Sequence, residues 1–465
     1  MDVTVKFLGG AESVTGSRYL LTLDDFRLLF DCGLFQGLKE LRLRNWDVFP
    51  VDAASIDAVV ISHAHIDHTG YLPRLLKEGF HGPIYCTHPT ADLLEIMLLD
   101  SAKLQEEEAI FAKEHGYSKH ANPLPLYTVG DVHAVFPLLR PYGVNQKIKL
   151  HESLEIIFRG AGHLLGAAIT EVLIKGKIQT KKITFSGDLG RSNDAILAPP
   201  EPIDNTDILF IESTYGAKDN PAGDPGKELE RIVNETFNRQ GVLLIPAFAV
   251  GRTQTLMHIF HKLISEKRIP DVPVYVDSPM AISATYLYYK YPTYHHADFN
   301  KTEFARSMET NMMVFVKTSE HSKHLNNLKS RAIIISSSGM MTGGRILHHL
   351  YHRLRNPNDT LLIAGYQAEG TRGRRLMDKE PTIRIFGEEV PVNCKVECIT
   401  SLSGHADRGE LFQWMKNFKA KPKMVFTVHG ENPDLSIYAE AIRKQMDWNV
   451  RVPQYLESIK LFSGL

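Results

Sequence analysis

The first feature of the sequence that suggests chemistry is a dense run of metal-binding side chains at residues 62–68. His63, His65, Asp67 and His68 fall within six residues, and imidazole and carboxylate are ligands that zinc accepts. His63 and His65 are two positions apart, so they share one side of an extended segment. One short loop can therefore offer two ligands to one metal and two to another. Chance clustering in a polar loop is the alternative, and the position directly after a buried strand disfavours it.

Three more candidate ligands lie in the same kind of place, directly after a predicted strand and beside a glycine. They are His163 after residues 154–158, Asp188 after residues 183–185, and His429 after residues 424–428. Taken alone, each is more often a strand-end histidine or a capping aspartate. The carboxyl ends of strands are where open α/β sheets place their sites. We therefore expect these residues to complete a ligand shell for two metals.

The predicted secondary structure that must position these residues changes along the chain. The first two hundred residues read as successive strands, and the apolar run 57–61 before the histidine cluster is typical of a strand buried on both faces. From about residue 225, four successive strand–helix units predict a parallel sheet flanked by helices. The last eighty residues return to strands. A chain of 465 residues is too long for one ordinary core, so we expect two domains.

Composition narrows the function classes. Hydrophobic residues make up 43% and charged residues 23%, the balance of a folded soluble protein. The net charge of −1 means that the chain as a whole has no excess of positive charge to attract nucleic acid. Any nucleic-acid binding site must therefore be a local groove. The sequence has no apolar run long enough for a membrane span and no signal-peptide pattern at its start. Four cysteines are too few for a disulfide framework. These features predict a cytoplasmic protein without a membrane partner.

The ordered set of candidate ligands resembles that of hydrolases with the metallo-β-lactamase fold. The resemblance implies that one zinc is held by His63, His65 and His163, the other by Asp67, His68 and His429, with Asp188 bridging. It also implies that a hydroxide between two ions about 4 Å apart is the nucleophile, with Asp67 among the catalytic residues. Manganese is the alternative to zinc, since ligand type alone does not decide between them.

In that fold, an aspartate that does not bind the metal holds the ligand histidines in place. This chain has a candidate for it. Asp31 follows the predicted strand at residues 28–30 and resembles the family's acid that orients the histidine loop. A strand-end aspartate that caps a turn is the equally ranked alternative.

The separation between Asp188 and His429 is 429 − 188 = 241 residues, far more than a compact lactamase needs. Three motifs resemble those of the β-CASP subfamily of nucleic-acid processing enzymes, which includes the endonuclease of mRNA 3′-end maturation and bacterial relatives. They lie at residues 210–216, 401–407 and 428–431. The resemblance implies an α/β fold, in which a metallo-β-lactamase αββα sandwich is interrupted by a β-CASP domain with a parallel sheet flanked by helices. The expected limits are 1–208 and 386–465 for the sandwich and 209–385 for the insertion.

The same resemblance assigns roles outside the metal shell. Glu212 is expected to orient His405, and His405 to bind the scissile phosphate or protonate the leaving oxygen as a general acid. A histidine that merely supports the ligands is the alternative. Weaker candidates for substrate contact lie in the insertion: Arg252, Ser338, Gly339 and Arg345. The glycine-rich loop before Arg345 either cradles a phosphate with backbone amides or is a tight strand-to-helix turn.

The last motif also points to a substrate. In this family the RNA-processing branch has histidine there, as His429 is here, whereas the DNA-repair branch has valine. The resemblance therefore implies a zinc-dependent ribonuclease that cleaves single-stranded RNA in processing or decay, as an endonuclease and with 5′-to-3′ exonuclease action as a second mode. A small-molecule ester or thioester hydrolase and an RNA-binding scaffold are the alternatives. A homodimer or a processing-complex partner stays open.

Overall fold

The computed structural model describes residues 1–114, 123–219, 223–297, 299, 302, 305 and 312–465. The chain divides into two compact units. We call Met1–Asp219 together with His405–Leu465 the sandwich unit, and Asn220–Gly404 the inserted unit.

The first segment of the sandwich unit consists mainly of short strands joined by tight turns. Its elements are β1 (Val3–Gly9), β2 (Arg18–Leu23), β3 (Phe26–Phe30), α1 (Lys39–Leu43), β4 (Ala58–Val60), α2 (Ile66–Thr69), α3 (Leu72–Lys77), β5 (Ile84–Thr87), α4 (His88–Glu114), α5 (Val129–His133), β6 (Leu139–Tyr142), β7 (Lys147–His151), β8 (Leu154–Gly160), β9 (Ala168–Lys175), β10 (Thr180–Phe185) and β11 (Ile208–Glu212). Single 3₁₀ turns lie at Ala53–Ser55 and Phe136–Leu138.

The inserted unit alternates strands and helices. Its elements are α6 (Pro225–Asn238), β12 (Leu243–Pro246), α7 (Arg252–Ser265), β13 (Val274–Asp277), α8 (Pro279–Lys290), a 3₁₀ turn (Pro292–Tyr294), β14 (Met313–Phe315), α9 (Ser319–Leu325), β15 (Ile333–Ser336), α10 (Arg345–Arg353), β16 (Thr360–Ala364), α11 (Arg372–Met377), β17 (Thr382–Ile385), β18 (Glu388–Pro391) and β19 (Lys395–Ile399). The chain then returns to the sandwich unit with α12 (Arg408–Met415), β20 (Met424–Val428), α13 (Asp434–Met446), β21 (Val450–Arg451) and β22 (Ser458–Phe462). In the described ranges, no helix combines the length and apolar character that a bilayer crossing requires.

Two seven-stranded sheets form the sandwich unit, in the orders β22-β1-β2-β3-β4-β5-β6 and β21-β20-β11-β10-β9-β8-β7. Aromatic rings fill the space between them: Phe185 stacks on Phe30 and on Phe210, with centroids 3.8 and 4.2 Å apart. The outer face of the first sheet buries apolar residues together with α3 and α4, and α13 packs against β20 in the second. The predicted αββα sandwich is therefore confirmed.

The inserted unit is built on a parallel sheet in the order β14-β13-β15-β12-β16-β19, in which every neighbouring pair is parallel. Successive side chains of β15 pack on opposite faces of the sheet. Ile333 and Ile335 lie in one apolar cluster and Ile334 in another. Such burial on both faces is typical of parallel sheets. The predicted parallel sheet with helices on its faces is confirmed.

The two units divide at 219/220 and 404/405, further along the chain than the limits 208/209 and 385/386 expected from the sequence. The reason is strand pairing. β11 lies between β10 and β20 in the sandwich unit, parallel to both. β19 pairs in parallel with β16, so residues 395–399 complete the sheet of the inserted unit instead of the return segment.

Candidate metal centre

The histidine-rich loop follows β4 and turns into the short helix α2. His65 is the N-cap of this helix, and Asp67 and His68 lie within its single turn. His63, two residues before the cap, is fully buried. The structure thus presents the four side chains in two pairs, one from the extended run and one from the helix, as the spacing predicts.

The first group of side chains brings the extended pair together with residues from two other strand ends. His63, His65, His163 and Asp188 each offer a ligand atom, and these atoms all lie within 4.8 Å of one another. The Nδ1 atom of His65 is 3.0 Å from Nε2 of His63 and 3.3 Å from Nε2 of His163. The four residues follow three separate strands, β4, β8 and β10, so the group depends on the sandwich fold.

The second group contains Asp67, His68 and His429, whose ligand atoms also lie within 4.8 Å of one another. Nε2 of His429 is 3.1 Å from Nε2 of His68 and 3.3 Å from Oδ2 of Asp67. Asp188 stands between the groups, because its Oδ2 is 3.4 Å from Nε2 of both His63 and His68.

The donor set fits a metal cofactor better than it fits a hydrogen-bond network. A neutral imidazole has one donor and one acceptor nitrogen, and several of these ring nitrogens face one another instead of a complementary group. In the described part of the chain, Oδ1 of Asp188 is buried and accepts no hydrogen bond. A bound cation satisfies both features. Buried imidazole nitrogens and carboxylate oxygens are ligands suited to zinc.

The electrostatics of the groups also favour a cation. Burial lowers the pKa of His65 to about 4 and that of His63 well below its usual value, which leaves both as the neutral form that binds metals. Burial acts to raise the pKa of Asp67, but His68 and His429 lower it to about 2. Burial likewise opposes ionisation of Asp188, and the neighbouring histidines hold its pKa well below its usual value. Both carboxyl groups are therefore anionic at neutral pH.

Asp31 contacts the histidine loop directly. Its Oδ1 accepts a hydrogen bond from the Ser62 backbone N–H at 2.8 Å. Its Oδ2 lies 2.8 Å from Oγ of Ser62 and 2.8 Å from Nδ1 of His68. These contacts fix the orientation of the His68 ring, and they support the orienting role over that of a turn cap.

Two hydroxyl residues that hold the ligands were missed from the sequence. Ser62 Oγ lies 3.0 Å from Nδ1 of His63 as well as contacting Asp31. Thr214 Oγ1 lies 3.0 Å from Nδ1 of His429. The sequence shows a serine directly before the first histidine and a threonine inside the 210–216 motif. Both residue types are too common for their hydrogen-bond partners to be predicted from the sequence.

A third group places His405 beside the candidate metal ligands. Nδ1 of His405 lies 3.2 Å from Oε1 of Glu212 and 4.0 Å from Oδ2 of Asp188, and its ring is 4.3 Å from that of His163. Glu212 is fully buried and also accepts the Leu189 backbone N–H at 2.8 Å. Burial acts to lower the pKa of His405, but Glu212 and then Asp188 raise it above its usual value. The geometry thus places beside the ligand groups an imidazole whose protonated form is favoured by two carboxylates.

The weaker candidates all lie in the inserted unit, where their contacts are mainly structural. Arg345 donates to Asp277 Oδ1 at 2.7 Å and to two backbone carbonyls. Ser338 Oγ accepts the N–H groups of Thr342 and Gly343 at 3.0 and 3.4 Å. Since these amides of the glycine-rich loop are already used, the loop matches the tight-turn alternative better than a phosphate cradle.

Gly339 and Arg252, the other two candidates, lie at close approaches within the same unit. A Cβ on Gly339 would be 2.9 Å from the backbone nitrogen of Phe248, and one on Gly365 would be 3.6 Å from Nη2 of Arg252. Substrate contact by these residues stays a prediction.

Three family models match consecutive parts of the chain. A metallo-beta-lactamase superfamily domain matches residues 20–207, and a Beta-Casp domain matches residues 253–376. A Zn-dependent metallo-hydrolase RNA specificity domain matches residues 389–453. The last match contains His405 and His429, and the first contains the other candidate ligands.

Relatives whose names state a function match nearly the whole chain. A ribonuclease of Thermus thermophilus is 35% identical over 92% of this chain and 93% of its own length. An RNase J-like protein of Methanocaldococcus jannaschii is 31% identical over 97% and 98%. Transcription termination factor FttA of Methanosarcina mazei is 32% identical over 99% of this chain and 72% of its own length.

A solved structure supports the fold alone. A protein of unknown function from Enterococcus faecalis V583 superimposes with a TM-score of 0.54 at 15% identity, over 99% of this chain and 100% of that one.

Proposed function

The chain belongs to the β-CASP family of metallo-β-lactamase-fold hydrolases, and we propose that it is a zinc-dependent ribonuclease acting on single-stranded RNA. The observation that carries the proposal is the pair of ligand groups joined at Asp188, with His405 beside them. The RNA specificity domain over residues 389–453 and the relatives named as ribonucleases support RNA as the substrate.

We assign His63, His65 and His163 to one zinc ion and Asp67, His68 and His429 to a second, with Asp188 shared. Two bound zinc ions would supply a hydroxide nucleophile at neutral pH and offset charge on the attacked phosphate. The protein's part is to hold the imidazole ligands in place, which Asp31, Ser62 and Thr214 do through the hydrogen bonds described above.

His405 provides the general acid in this proposal. Glu212 holds Nδ1 of the imidazole and favours its protonated form. The ring then carries a proton on Nε2 for the leaving oxygen as the P–O bond breaks, and a solvent proton restores it. A pKa near the operating pH is what such a step requires.

The two alternative functions are disfavoured by separate observations. An RNA-binding scaffold has no need of two complete ligand groups, and these are present. A hydrolase of small esters has no need of an RNA specificity domain, which matches here. A cytoplasmic location, a homodimer and a processing-complex partner stay predictions.

The test is cleavage of end-labelled single-stranded RNA by the purified, zinc-loaded protein, beside an Asp67→Ala variant and an equivalent DNA strand. We expect two zinc ions per chain and cleavage of RNA that the variant lacks. Internal fragments would indicate endonuclease action, and nucleotides released from the 5′ end would indicate the exonuclease mode. Intact RNA in the presence of two bound metals would overturn the proposal and favour the small-ester hydrolase. Tight RNA binding without cleavage would favour the scaffold.

A further inference from the structure

An exposed apolar cluster lies on the sandwich unit between β3 and β4. Leu43, Trp46 and Val48 are 53, 52 and 89% exposed, within six residues of sequence. The other two tryptophans, Trp414 and Trp448, are buried. Apolar side chains gathered at one place on a surface often mark a binding site. We call residues 39–48 the strap.

Cations are interleaved with these apolar side chains. Lys39 and Arg42 are exposed and, within the described ranges, form no ion pair. The guanidinium of Arg44 lies over the rings of Tyr455 and Phe35, at 4.2 and 5.5 Å from their centroids. The strap thus has three cations against two acids, Glu40 and Asp47. This combination of an exposed aromatic ring and available cations suits a strand that carries both bases and phosphates.

Buried hydrogen bonds hold the base of the strap in place. Asn45 donates to the Phe35 carbonyl at 2.8 Å and accepts the Phe35 N–H at 3.0 Å. Arg18, which is 1% exposed, donates to Asn45 Oδ1 at 3.3 Å and to the Gly33 carbonyl at 2.6 Å. Its guanidinium also lies 4.0 Å from the ring centroid of Tyr71. Trp46 is therefore held on an ordered segment. Binding then has fewer groups to order and loses less conformational entropy.

The segment that precedes the strap packs against the histidine-rich loop. The Leu34 N–H donates to the Ile66 carbonyl at 2.9 Å. Gly33 packs so closely that a Cβ there would be 1.6 Å from the Asp67 carbonyl oxygen. Because Asn45 is bonded to Phe35, Trp46 is brought back next to the residues that touch this loop. The base of the strap is thus joined, through residues 33–35, to the backbone of the loop that carries the candidate ligands.

From these observations we propose that the strap binds single-stranded RNA outside the cleavage position. Trp46 stacks on a base, Leu43 and Val48 flank the ring, and Lys39 and Arg42 contact phosphates. The inference rests on the proposed function and adds how the substrate is held. The alternative is that the strap binds a protein partner, and the experiments below distinguish the two.

The first test measures binding without cleavage. All variants are made in an Asp67→Ala background and titrated with a fluorescein-labelled single-stranded RNA, while tryptophan emission is followed. We expect RNA to quench the emission, because Trp46 is the exposed tryptophan of three. Trp46→Ala should weaken binding about tenfold or more. Trp46→Phe should keep most of the affinity but lose the quenching, which a merely structural effect would not produce.

Two further variants separate charge from general surface effects. Changing Lys39 and Arg42 together to alanine should reduce the slope of log K against log salt by about 1.4, or about 0.7 for each phosphate that is no longer neutralised. Ile178→Ala removes an apolar side chain that is 98% exposed in the β9–β10 turn and should change neither quantity.

The outcomes distinguish this inference from the proposed function. If Trp46→Ala binds RNA normally and RNA causes no quenching, the inference is wrong and the strap is assigned to a protein partner, whether or not the native protein cleaves RNA. If Trp46→Ala loses RNA affinity while the native protein leaves RNA intact, the strap is upheld and the ribonuclease proposal fails.

Discussion

His405 Nδ1 lies 3.2 Å from Glu212 Oε1, and this contact favours the protonated form of the imidazole. Burial acts to lower the pKa of His405, but the Glu212 carboxylate raises it above the usual value. Glu212 is itself fully buried and anchored by the Leu189 N–H, so it cannot turn away from the ring without leaving a buried charge unpaired. The pair therefore behaves as one proton-holding unit.

Replacing Glu212 with glutamine should move the pH dependence of cleavage. A general acid acts when protonated, and a raised pKa keeps His405 protonated to higher pH. Without the carboxylate charge, burial lowers the pKa of His405, so the basic limb of the kcat/KM profile should shift to lower pH. Cleavage at pH 7.5 should fall about tenfold or more, since general acid catalysis typically contributes 10²–10⁴-fold. The measurement is RNA cleavage between pH 5 and 9.

The control for that variant is Glu440→Gln on α13, whose carboxylate is half exposed and pairs with Arg443. Its profile should match that of the native protein. An unchanged basic limb in Glu212→Gln, with zinc retained, would remove His405 from the role of general acid.

Replacing Asp31 with asparagine should weaken the second metal position more than the first. Asp31 contacts Nδ1 of His68 at 2.8 Å, and loss of such a partner typically costs 10- to 100-fold in metal affinity. Competition with a chelator, followed by metal analysis, should show one zinc per chain lost first, with the other retained by His63, His65 and His163. A Ser153→Ala variant, changed in the turn between β7 and β8, serves as the control. Equal loss of both metals would contradict the assignment of His68 to a separate position.

Gly33 should tolerate no side chain, because it packs on the backbone that carries two proposed ligands. A Cβ at Gly33 would lie 1.6 Å from the Asp67 carbonyl oxygen, and backbone atoms cannot turn aside as a flexible side chain does. We expect Gly33→Ala to reduce zinc content and RNA cleavage together. Gly130→Ala, at a position where the nearest atom would be 3.6 Å away, should leave both unchanged. Full zinc content in Gly33→Ala would show that the loop adapts.

Much of the fold and of the candidate site followed from patterns local in the sequence. The candidate ligands lie at or just after strand ends, so their convergence there is predictable from the sequence alone. The inserted sheet was signalled by apolar runs such as 332–335, which are buried on both faces. In these cases local pattern and three-dimensional placement agree.

What could not be predicted depends on pairing across the chain. β19 has the burial pattern of an edge strand, and only its register with β16 assigns it to the inserted unit. Arg18 is nearly fully buried among aromatic rings, whereas arginine in a sequence normally indicates surface. Ser62 and Thr214 acquire their roles only from partners that the fold brings to them.

The last prediction concerns stability, at Asp277 of the inserted unit. Asp277 is fully buried. Its Oδ2 is contacted by His349 Nε2 and Ser322 Oγ, each at 2.6 Å, and its Oδ1 by Arg345 at 2.7 Å.

Burial acts to raise the pKa of Asp277, but these hydrogen bonds lower it below the usual value. The carboxylate therefore contributes stability above its unfolded pKa of about 3.9, and this contribution is lost as the pH falls through the lower folded value. Asp277→Asn should lower the free energy of unfolding at pH 7 by about 3–5 kcal/mol, because it leaves the Arg345 guanidinium without its buried carboxylate partner. The difference should begin to shrink as the pH falls below about 4, where the unfolded chain takes up the proton first, and should shrink further as the pH passes through the lower folded pKa of Asp277. Urea unfolding at pH 7, 5 and 3.5 measures it, with Asp378→Asn as the control, since that carboxylate is 55% exposed in its pair with Arg374. Equal effects of the two substitutions, or a difference independent of pH, would show that the buried network does not stabilise this unit through the Asp277 charge.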